Sequence, residues 1–307
     1  MSTTYLPRLA GRSEFVTLRG LRHHLHVWGD PSLVSAARPP LLMMHGWMDV
    51  GASYQFTVDA LATPRYVVAA DWRGFGLTDS NPGDCYWFAD YLGDLDALID
   101  HLSPDAPIDL VGHSMGGNIV MSYAGVRPER IRRLVNLEGF GMPQTRPEDA
   151  PKRLRQWLDE LRQPQTLRDY DSLDAVAARL MKTNPRLPAD KAAWLATHWS
   201  RQAADGRWQV LGDPAHKRVN PVLTRAEDTV ATWSRISAPL LWVEGDGREF
   251  DGWYGGRYTR AQFEERLAAV PSVQRLRVTP AGHMLHHDQP EALARGLEAF
   301  FDGDRVA

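Results

Sequence analysis

Cysteine is almost absent from this sequence of 307 residues, which contains only Cys85. A lone thiol can form neither an intramolecular disulfide nor a cysteine-rich metal site, so disulfide scaffolds and zinc fingers are excluded. The chain also lacks an apolar run near the ~18 residues of a membrane span, and residues 1–10 lack the charged and apolar segments of a signal peptide. We therefore expect a cytoplasmic protein without a membrane partner.

The sequence also lacks a large excess of charges of one sign. The 35 basic and 38 acidic residues leave a net charge of −3 and are scattered along the chain, which disfavours a nucleic-acid partner. The glycines near Ser114 match neither the dinucleotide-binding pattern nor a phosphate-binding loop, so no nucleotide cofactor is predicted. The opening hairpin places only His24 and His26 on one strand face, and without a third ligand we predict no metal.

The composition is that of a globular protein, with 43% hydrophobic and 24% charged residues. Short continuous apolar runs predict strands that are buried on both faces of a parallel sheet. Between them, apolar residues spaced three and four apart predict amphipathic helices, most clearly over residues 88–102. This alternation of strand and helix predicts an α/β fold. The apolar runs are residues 41–44, 66–70, 108–111, 134–137 and 240–244.

The alternation stops between residues 139 and 225. This stretch has helical patterns, proline-rich joints and no convincing strand, and it carries four of the eleven tryptophans. We predict an all-helical cap here, inserted into a core formed by residues 1–138 and 226–307. The tryptophans suggest an apolar or aromatic substrate, and Trp157 is predicted to lie on the pocket wall. The four tryptophans are Trp157, Trp194, Trp199 and Trp208.

The strongest local motif is DLVGHSMGGN at residues 109–118, which has the form Gly-x-Ser-x-Gly between a predicted strand and a predicted helix. A nucleophile elbow requires small residues two before and two after the serine, so that the backbone packs closely while the hydroxyl projects outward. We therefore predict that Ser114 is a nucleophile. The amide of Met115 then points at a developing oxyanion at the helix N-terminus.

A second motif, His45-Gly46-Trp47, directly follows the predicted strand 41–44. Its expected role is the other half of an oxyanion hole, with the backbone N–H of Trp47 donating alongside that of Met115. His45 is assigned to the substrate pocket because it belongs to the same loop.

A histidine near the C-terminus should act as the base, since the chain order around a nucleophile elbow is nucleophile, acid, histidine. His283 follows the small pair Ala281-Gly282, which permits a sharp turn into a cleft between a predicted strand and the last helix. His286 and His287 are its rivals, and both are expected to be surface or helix-start residues. Geometry favours His283.

The acid partner has several candidates. A carboxylate must hold the proton-bearing nitrogen of His283, and it can follow either of two predicted strands beyond Ser114. Asp246 is ranked first, Glu138 second and Glu249 third, and the assignment stays open. Glu244 and Asp251 also compete.

Taken together, these segments resemble the α/β-hydrolase superfamily across nearly the whole chain outside the insertion. The matching segments are PLLMMHGW, AADWRGFGLTDS, LVGHSMGGNIVMSYAGVRPERIRRLVNLEG and PAGHMLHHDQPEAL. The stretch HGWMD with its following Ser53-Tyr54 is most similar to serum hydrolase-like members. The resemblance implies a mostly parallel eight-stranded sheet flanked by helices, a helical cap, a Ser-His-acid triad and no cofactor. The chain departs from the family at the acid, because the expected Gly-x-x-Asp puts Arg248 at the aspartate position. Some members take the acid from the preceding strand, where Glu138 sits.

The resemblance implies a serine hydrolase that cleaves a carboxylic ester or related small acyl substrate through an acyl-enzyme intermediate. Dehalogenases and epoxide hydrolases of this fold carry an aspartate at the elbow, so Ser114 disfavours those activities. Two alternatives stay open: hydrolysis of a carbon–carbon bond in a diketone, and a small-molecule receptor with little or no turnover. The sequence does not predict an oligomeric state.

Overall fold

The computed structural model describes residues 4–247 and 249–306, without the side chains of Glu249 and Asp251. Its strands, in chain order, are β1 (Arg12–Leu18), β2 (Leu21–Trp28), β3 (Leu41–Met44), β4 (Val67–Ala70), β5 (Ile108–His113), β6 (Ile131–Leu137), β7 (Asp169–Tyr170), β8 (Ser200–Gln202), β9 (Trp208–Val210), β10 (Leu240–Glu244) and β11 (Val273–Arg277). The helices are α1 (Gln55–Ala60), α2 (Phe88–Leu102), α3 (Met115–Val126), α4 (Ala150–Leu161), α5 (Leu173–Thr183), α6 (Ala189–Trp199), α7 (Ala226–Trp233), α8 (Glu249–Tyr254), α9 (Arg260–Leu267), α10 (Leu285–Asp288) and α11 (Pro290–Asp302).

Eight strands form one sheet in the order β1-β2-β4-β3-β5-β6-β10-β11. The pairs β1–β2 and β2–β4 are antiparallel, and every later pair in the sheet is parallel. The central strands β3 and β4 consist entirely of buried side chains, as expected for parallel strands covered on both faces. The predicted α/β fold with a mostly parallel eight-stranded sheet is confirmed.

The strands alternate their side chains between two hydrophobic layers. In β3, Leu42 and Met44 pack with helices α2, α3, α7 and α9, whereas Leu41 and Met43 pack on the opposite face with α1 and α11. This alternation follows from the two-residue period of a strand. The sheet is therefore the middle of three layers, and the carboxyl ends of its parallel strands are left to carry loops.

The chain between β6 and α7 contains α4, α5 and α6, and it also contains a small antiparallel sheet in the order β7-β9-β8. The prediction of an all-helical insertion is therefore wrong. Its strands are only two or three residues long, too short to produce the alternating pattern by which a strand is recognised in a sequence. Side chains from β7, α5 and α6 form a third hydrophobic cluster, which includes Phe56 of the core.

Helix α7 begins at Ala226 and packs against α3 and α9, so the chain has rejoined the core by that residue. None of the helices in the described ranges is long and apolar enough to cross a membrane.

Candidate active site

Ser114 lies between the last residue of β5 and the first residue of α3, in a strand–turn–helix arrangement. Its backbone has φ 52° and ψ −114°, a conformation that is uncommon for a residue with a side chain. A Cβ atom added to Gly112 would lie 2.5 Å from the Gly116 carbonyl oxygen, and one added to Gly116 would lie 2.3 Å from the Met44 carbonyl oxygen. Both glycines are therefore required for the close packing that holds this turn.

His283 contacts a carboxylate through its Nδ1 atom, which lies 2.8 Å from Oε2 of Glu138. Because a carboxylate only accepts hydrogen bonds, Nδ1 carries the proton and Nε2 is left as the basic nitrogen. The other oxygen of Glu138 accepts the N–H of Gly245 at 2.8 Å. Glu138 is buried and itself has φ 52°, so the backbone directs its carboxylate toward the loop that follows β11.

Asp246, ranked first as the acid, does not reach the His283 ring. Its carboxylate accepts the N–H of Ala281 at 2.7 Å, and its own N–H donates to the Ala281 carbonyl at 2.9 Å. The hydrogen bond from Ala281 lowers the pKa of the exposed Asp246 carboxyl. Asp246 thus ties the turn before His283 to the end of β10, which corrects the ranking in favour of Glu138.

Among the described side chains, none of the remaining acid candidates contacts His283. Glu244 forms an ion pair with Arg260 at the end of β10. Arg248, where the family pattern expects an aspartate, lies outside the described residues, as do the side chains of Glu249 and Asp251.

The two predicted oxyanion donors flank Ser114. A Cβ atom added to Gly46 would lie 3.2 Å from the Ser114 Cβ, so the loop before Trp47 packs directly on the serine. Within the described residues, the amides of Trp47 and Met115 donate no hydrogen bond to another protein group. Both N–H groups are therefore available to a ligand oxygen.

A cavity of about 840 Å³ lies over Ser114 and His283, between the core and the insertion. The core contributes Trp47, Asp49 and Trp253, and the Trp253 ring packs edge-on against His283 at a centroid distance of 4.3 Å. The insertion contributes mainly apolar side chains. These are Leu167, Tyr170, Val176, Leu180, Leu187, Trp199 and Val210.

His45 does not line this cavity, which corrects its assignment to the substrate pocket. It is fully buried; its Nε2 accepts the Trp72 N–H at 3.0 Å, while its Nδ1 donates to the Gly46 carbonyl at 2.7 Å. The ring therefore holds the loop that presents the Trp47 amide.

Trp157 does not line the cavity either. Its indole N–H donates to the sulfur of Cys85 at 3.0 Å, and the ring packs near Trp87. Among the tryptophans of the insertion, Trp199 lies on the cavity wall and donates its indole N–H to Asp49 Oδ1 at 3.0 Å. No sequence signal separated Trp199 from Trp157, because both lie on amphipathic helices.

Three further histidines lie behind His283. The ring of His113 lies 4.6 Å from that of His283 and 4.5 Å from that of His286, which in turn lies 4.2 Å from His287. His286 and His287 lie in the first turn of α10, so the helix-start alternative holds, but both are buried and neither is a surface residue. His113 donates its Nε2–H to the His283 carbonyl at 2.8 Å and thereby supports the base from its backbone.

This cluster surrounds Asp49. Burial raises the pKa of the Asp49 carboxyl, but the neighbouring His286 and His287 outweigh that effect and lower the pKa. Burial lowers the pKa of His113 and His287 well below the usual range, so both imidazoles are neutral near pH 7.

Asp49, His286 and His287 could hold a metal ion, because their ligand atoms all lie within 4.8 Å of one another and the set combines two imidazoles with a carboxylate. The sequence analysis, which predicted no metal, did not bring these residues together. His286 and His287 follow Asp49 by more than 200 positions, so only the fold makes them neighbours.

Comparisons with known proteins identify relatives of this chain and of its fold. A "Serine hydrolase-like protein" of Danio rerio is 25% identical over 287 residues, which cover 89% of this chain and 83% of that protein. The 2-(acetamidomethylene)succinate hydrolase of Mesorhizobium japonicum is 25% identical over 264 residues, covering 86% and 88%. The solved thioesterase domain from the curacin biosynthetic pathway superposes with a TM-score of 0.79 at 25% identity, covering 93% of this chain and 98% of that one.

These names support a hydrolase activity on this fold, and the similarity to serine hydrolase-like proteins agrees with the resemblance seen in the sequence. The family model described as alpha/beta hydrolase fold matches residues 39–290, which is most of the chain. The chain belongs to the α/β-hydrolase family.

Proposed function

We propose that this protein is a serine hydrolase that cleaves a carboxylic ester, or a related acyl substrate, through an acyl-enzyme intermediate. The hydrogen bond of 2.8 Å between His283 Nδ1 and Glu138 Oε2 carries this proposal. It orients a basic Nε2 on the wall of the cavity that also contains Ser114. Ser114, His283 and Glu138 then act as nucleophile, base and acid partner.

In the first half-reaction, Ser114 Oγ attacks the acyl carbon while its proton passes to Nε2 of His283. Glu138 stabilises the imidazolium that forms, and the amides of Trp47 and Met115 donate to the oxyanion. When the tetrahedral intermediate collapses, the bond to the leaving oxygen breaks and His283 returns the proton to that oxygen. The acyl group is now esterified to Ser114.

In the second half-reaction, water replaces the alcohol. Its oxygen attacks the acyl carbon as His283 accepts a proton, and the same two amides stabilise the second oxyanion. Collapse releases the carboxylic acid and returns the proton to Ser114 Oγ. No oxidant, reductant or further reactant is needed.

The insertion, residues 139–225, acts in this proposal as a cap that sets the size of the acyl group. Its support is the position of Tyr170, Val176, Leu180 and Leu187 on the cavity wall opposite Ser114. These side chains are also buried against one another, which gives the wall a defined shape.

The test combines labelling by a fluorophosphonate with turnover of p-nitrophenyl esters of increasing chain length. We expect Ser114→Ala to abolish labelling and to lower kcat/KM by about 10⁶-fold, as for other triad nucleophiles. Ser122→Ala is the matched control, since Ser122 lies on α3, the helix that follows Ser114, and its hydroxyl donates to the Asn118 carbonyl. Undiminished turnover by Ser114→Ala would overturn the mechanism. Labelling of Ser114 without turnover of any ester would favour a receptor.

A further inference from the structure

The two walls of the cavity over Ser114 differ in charge. Four cationic side chains line it, and all four belong to the insertion and are exposed. Among the described side chains that line the cavity, the one carboxylate is that of Asp49, which is buried and already accepts the Trp199 indole N–H. The cations are Arg168, Arg179, Lys182 and Lys217.

These cations have no acidic partners among the described side chains. Arg179 donates one hydrogen bond to the Thr183 hydroxyl at 2.6 Å, and Lys217 donates to the Thr166 carbonyl at 2.7 Å. Both partners are neutral, and a guanidinium carries five N–H donors and an ammonium three. The cavity therefore presents uncompensated positive charge and unused donors.

The neighbouring cavity does not share this positive charge. The chain as a whole carries a net charge of −3, so the excess of cations runs against the average of the protein. A second cavity of about 720 Å³ shares Leu167 and Val210 with the first, but it is lined by three aspartates and one arginine. Its charged residues are Asp79, Asp169, Asp213 and Arg201.

The cations lie beside apolar side chains on the same elements. In α5, Val176 and Leu180 are buried and line the cavity, while Arg179 and Lys182 line it from exposed positions. A ligand that follows this wall passes apolar side chains and meets cationic ones. An apolar chain that ends in an anionic group matches both features.

We propose that the cavity selects acyl substrates that carry a carboxylate or phosphate group away from the bond to be cleaved. This inference rests on the proposed serine hydrolase function and names its substrate class. Arg168, Arg179, Lys182 and Lys217 attract the anionic group, and the arginines can hold it through two parallel hydrogen bonds. The apolar wall contacts the chain between that group and the acyl carbon.

The experiment compares p-nitrophenyl esters of one length that differ only in the terminal group. These are hexanoate, the monoester of hexanedioic acid, 6-aminohexanoate and a phosphonate-terminated analogue. We expect kcat/KM to be about tenfold higher for the anionic esters than for hexanoate, and lowest for the cationic ester. The preference should shrink as ionic strength rises, because the cations are exposed. The carboxylate and phosphonate esters distinguish the two sources of anionic charge.

The double variant Arg179→Gln/Lys182→Gln tests the residues. Both side chains are exposed on α5, and far-UV circular dichroism checks that the helix is retained. We expect the ratio of kcat/KM for the anionic ester to that for hexanoate to fall toward one, because the variant removes two of the four cations. Arg201→Gln is the matched control, because Arg201 is an exposed cation of the insertion that lines the second cavity, and it should keep the wild-type ratio.

Failure of this inference differs from failure of the proposed function. Equal kcat/KM for hexanoate and the anionic esters, with Ser114 labelled, would overturn the anion preference and keep the hydrolase. If no ester is hydrolysed, the hydrolase proposal fails. The preference for anionic ligands is then tested by calorimetry, which compares the affinity for hexanedioate with the affinity for 6-aminohexanoate. Tighter binding of the dianion that is lost in the double variant supports it, and equal binding overturns it.

Discussion

The core wall and the insertion wall of the cavity are built in different ways. On the core side, Ser114 lines the wall and Glu138 contacts His283 from a buried position. Both residues have φ 52°, and Ser114 is held by glycines that admit no side chain. On the insertion wall, the charged residues are exposed side chains on helices and loops. The first arrangement depends on backbone packing that one added methyl group would disturb. The second can change residue by residue without disturbing the sheet, so in the proposed function chemistry belongs to one wall and recognition to the other.

After the loss of Ser114 itself, the largest expected effect comes from Glu138, the buried partner of His283 on the core side. We expect Glu138→Gln to lower kcat by about 10⁴-fold, because a glutamine amide cannot hold the Nδ1–H tautomer in the way that a carboxylate does. Asp246→Asn is the matched control, since Asp246 contacts Ala281 and does not reach the ring. It should change kcat by no more than a few fold. Ester kinetics on both variants measure the comparison, and equal small effects would reject Glu138 as the acid.

The packing of the elbow gives the next effect. We expect Gly116→Ala to lower the free energy of unfolding by about 1–3 kcal/mol, because the added Cβ would lie 2.3 Å from the Met44 carbonyl oxygen and force the backbone apart. Gly83→Ala is the control, where the nearest atom lies 3.5 Å away. Urea denaturation measures both. Equal stabilities of the two variants would show that the elbow accepts a side chain and that its close packing is not required.

The smallest expected effect concerns a contact between β2 of the core and α6 of the insertion. His26 in β2 packs against His198 in α6 at a centroid distance of 5.5 Å, and burial lowers the pKa of His26 to about 3. The unfolded chain, with an ordinary pKa near ~6.5, then binds more protons than the folded chain below that pH. This contribution to stability is complete above pH ~6.5 and is lost progressively as the pH falls toward 3.

We expect the free energy of unfolding to fall by about 1–2 kcal/mol between pH 6.5 and pH 5 on account of His26. His26→Gln removes this titration and should flatten that part of the profile, which urea denaturation at several pH values measures. His101→Gln is the control, because His101 lies exposed at the end of α2. If His26→Gln keeps the wild-type slope of the free energy of unfolding against pH, His26 does not make the core–insertion contact sensitive to acid.

The sequence marked Ser114 and His283, the nucleophile and base of the proposed function, because their signals are local. Ser114 is marked by glycines two residues away on each side, and His283 by the small residues that permit its turn. The acid has no such mark. Glu138 and Asp246 follow strands that lie side by side, with Leu137 opposite Val243, and the sequence does not contain that register. The pairing places the Gly245 N–H on Glu138 and leaves Asp246 beyond the sheet edge, on Ala281.

The sequence by itself determined the α/β fold and the segments that carry Ser114 and His283, because hydrophobic periodicity and turn chemistry act over a few residues. The number of strands in the sheet followed from the resemblance to the family. The tertiary structure alone decided which carboxylate meets His283 and which tryptophan reaches the cavity. It also decided that His286 and His287 are buried around Asp49, and that four scattered cations face one cavity. These outcomes depend on contacts between segments far apart in the chain, and such contacts are set by packing and register.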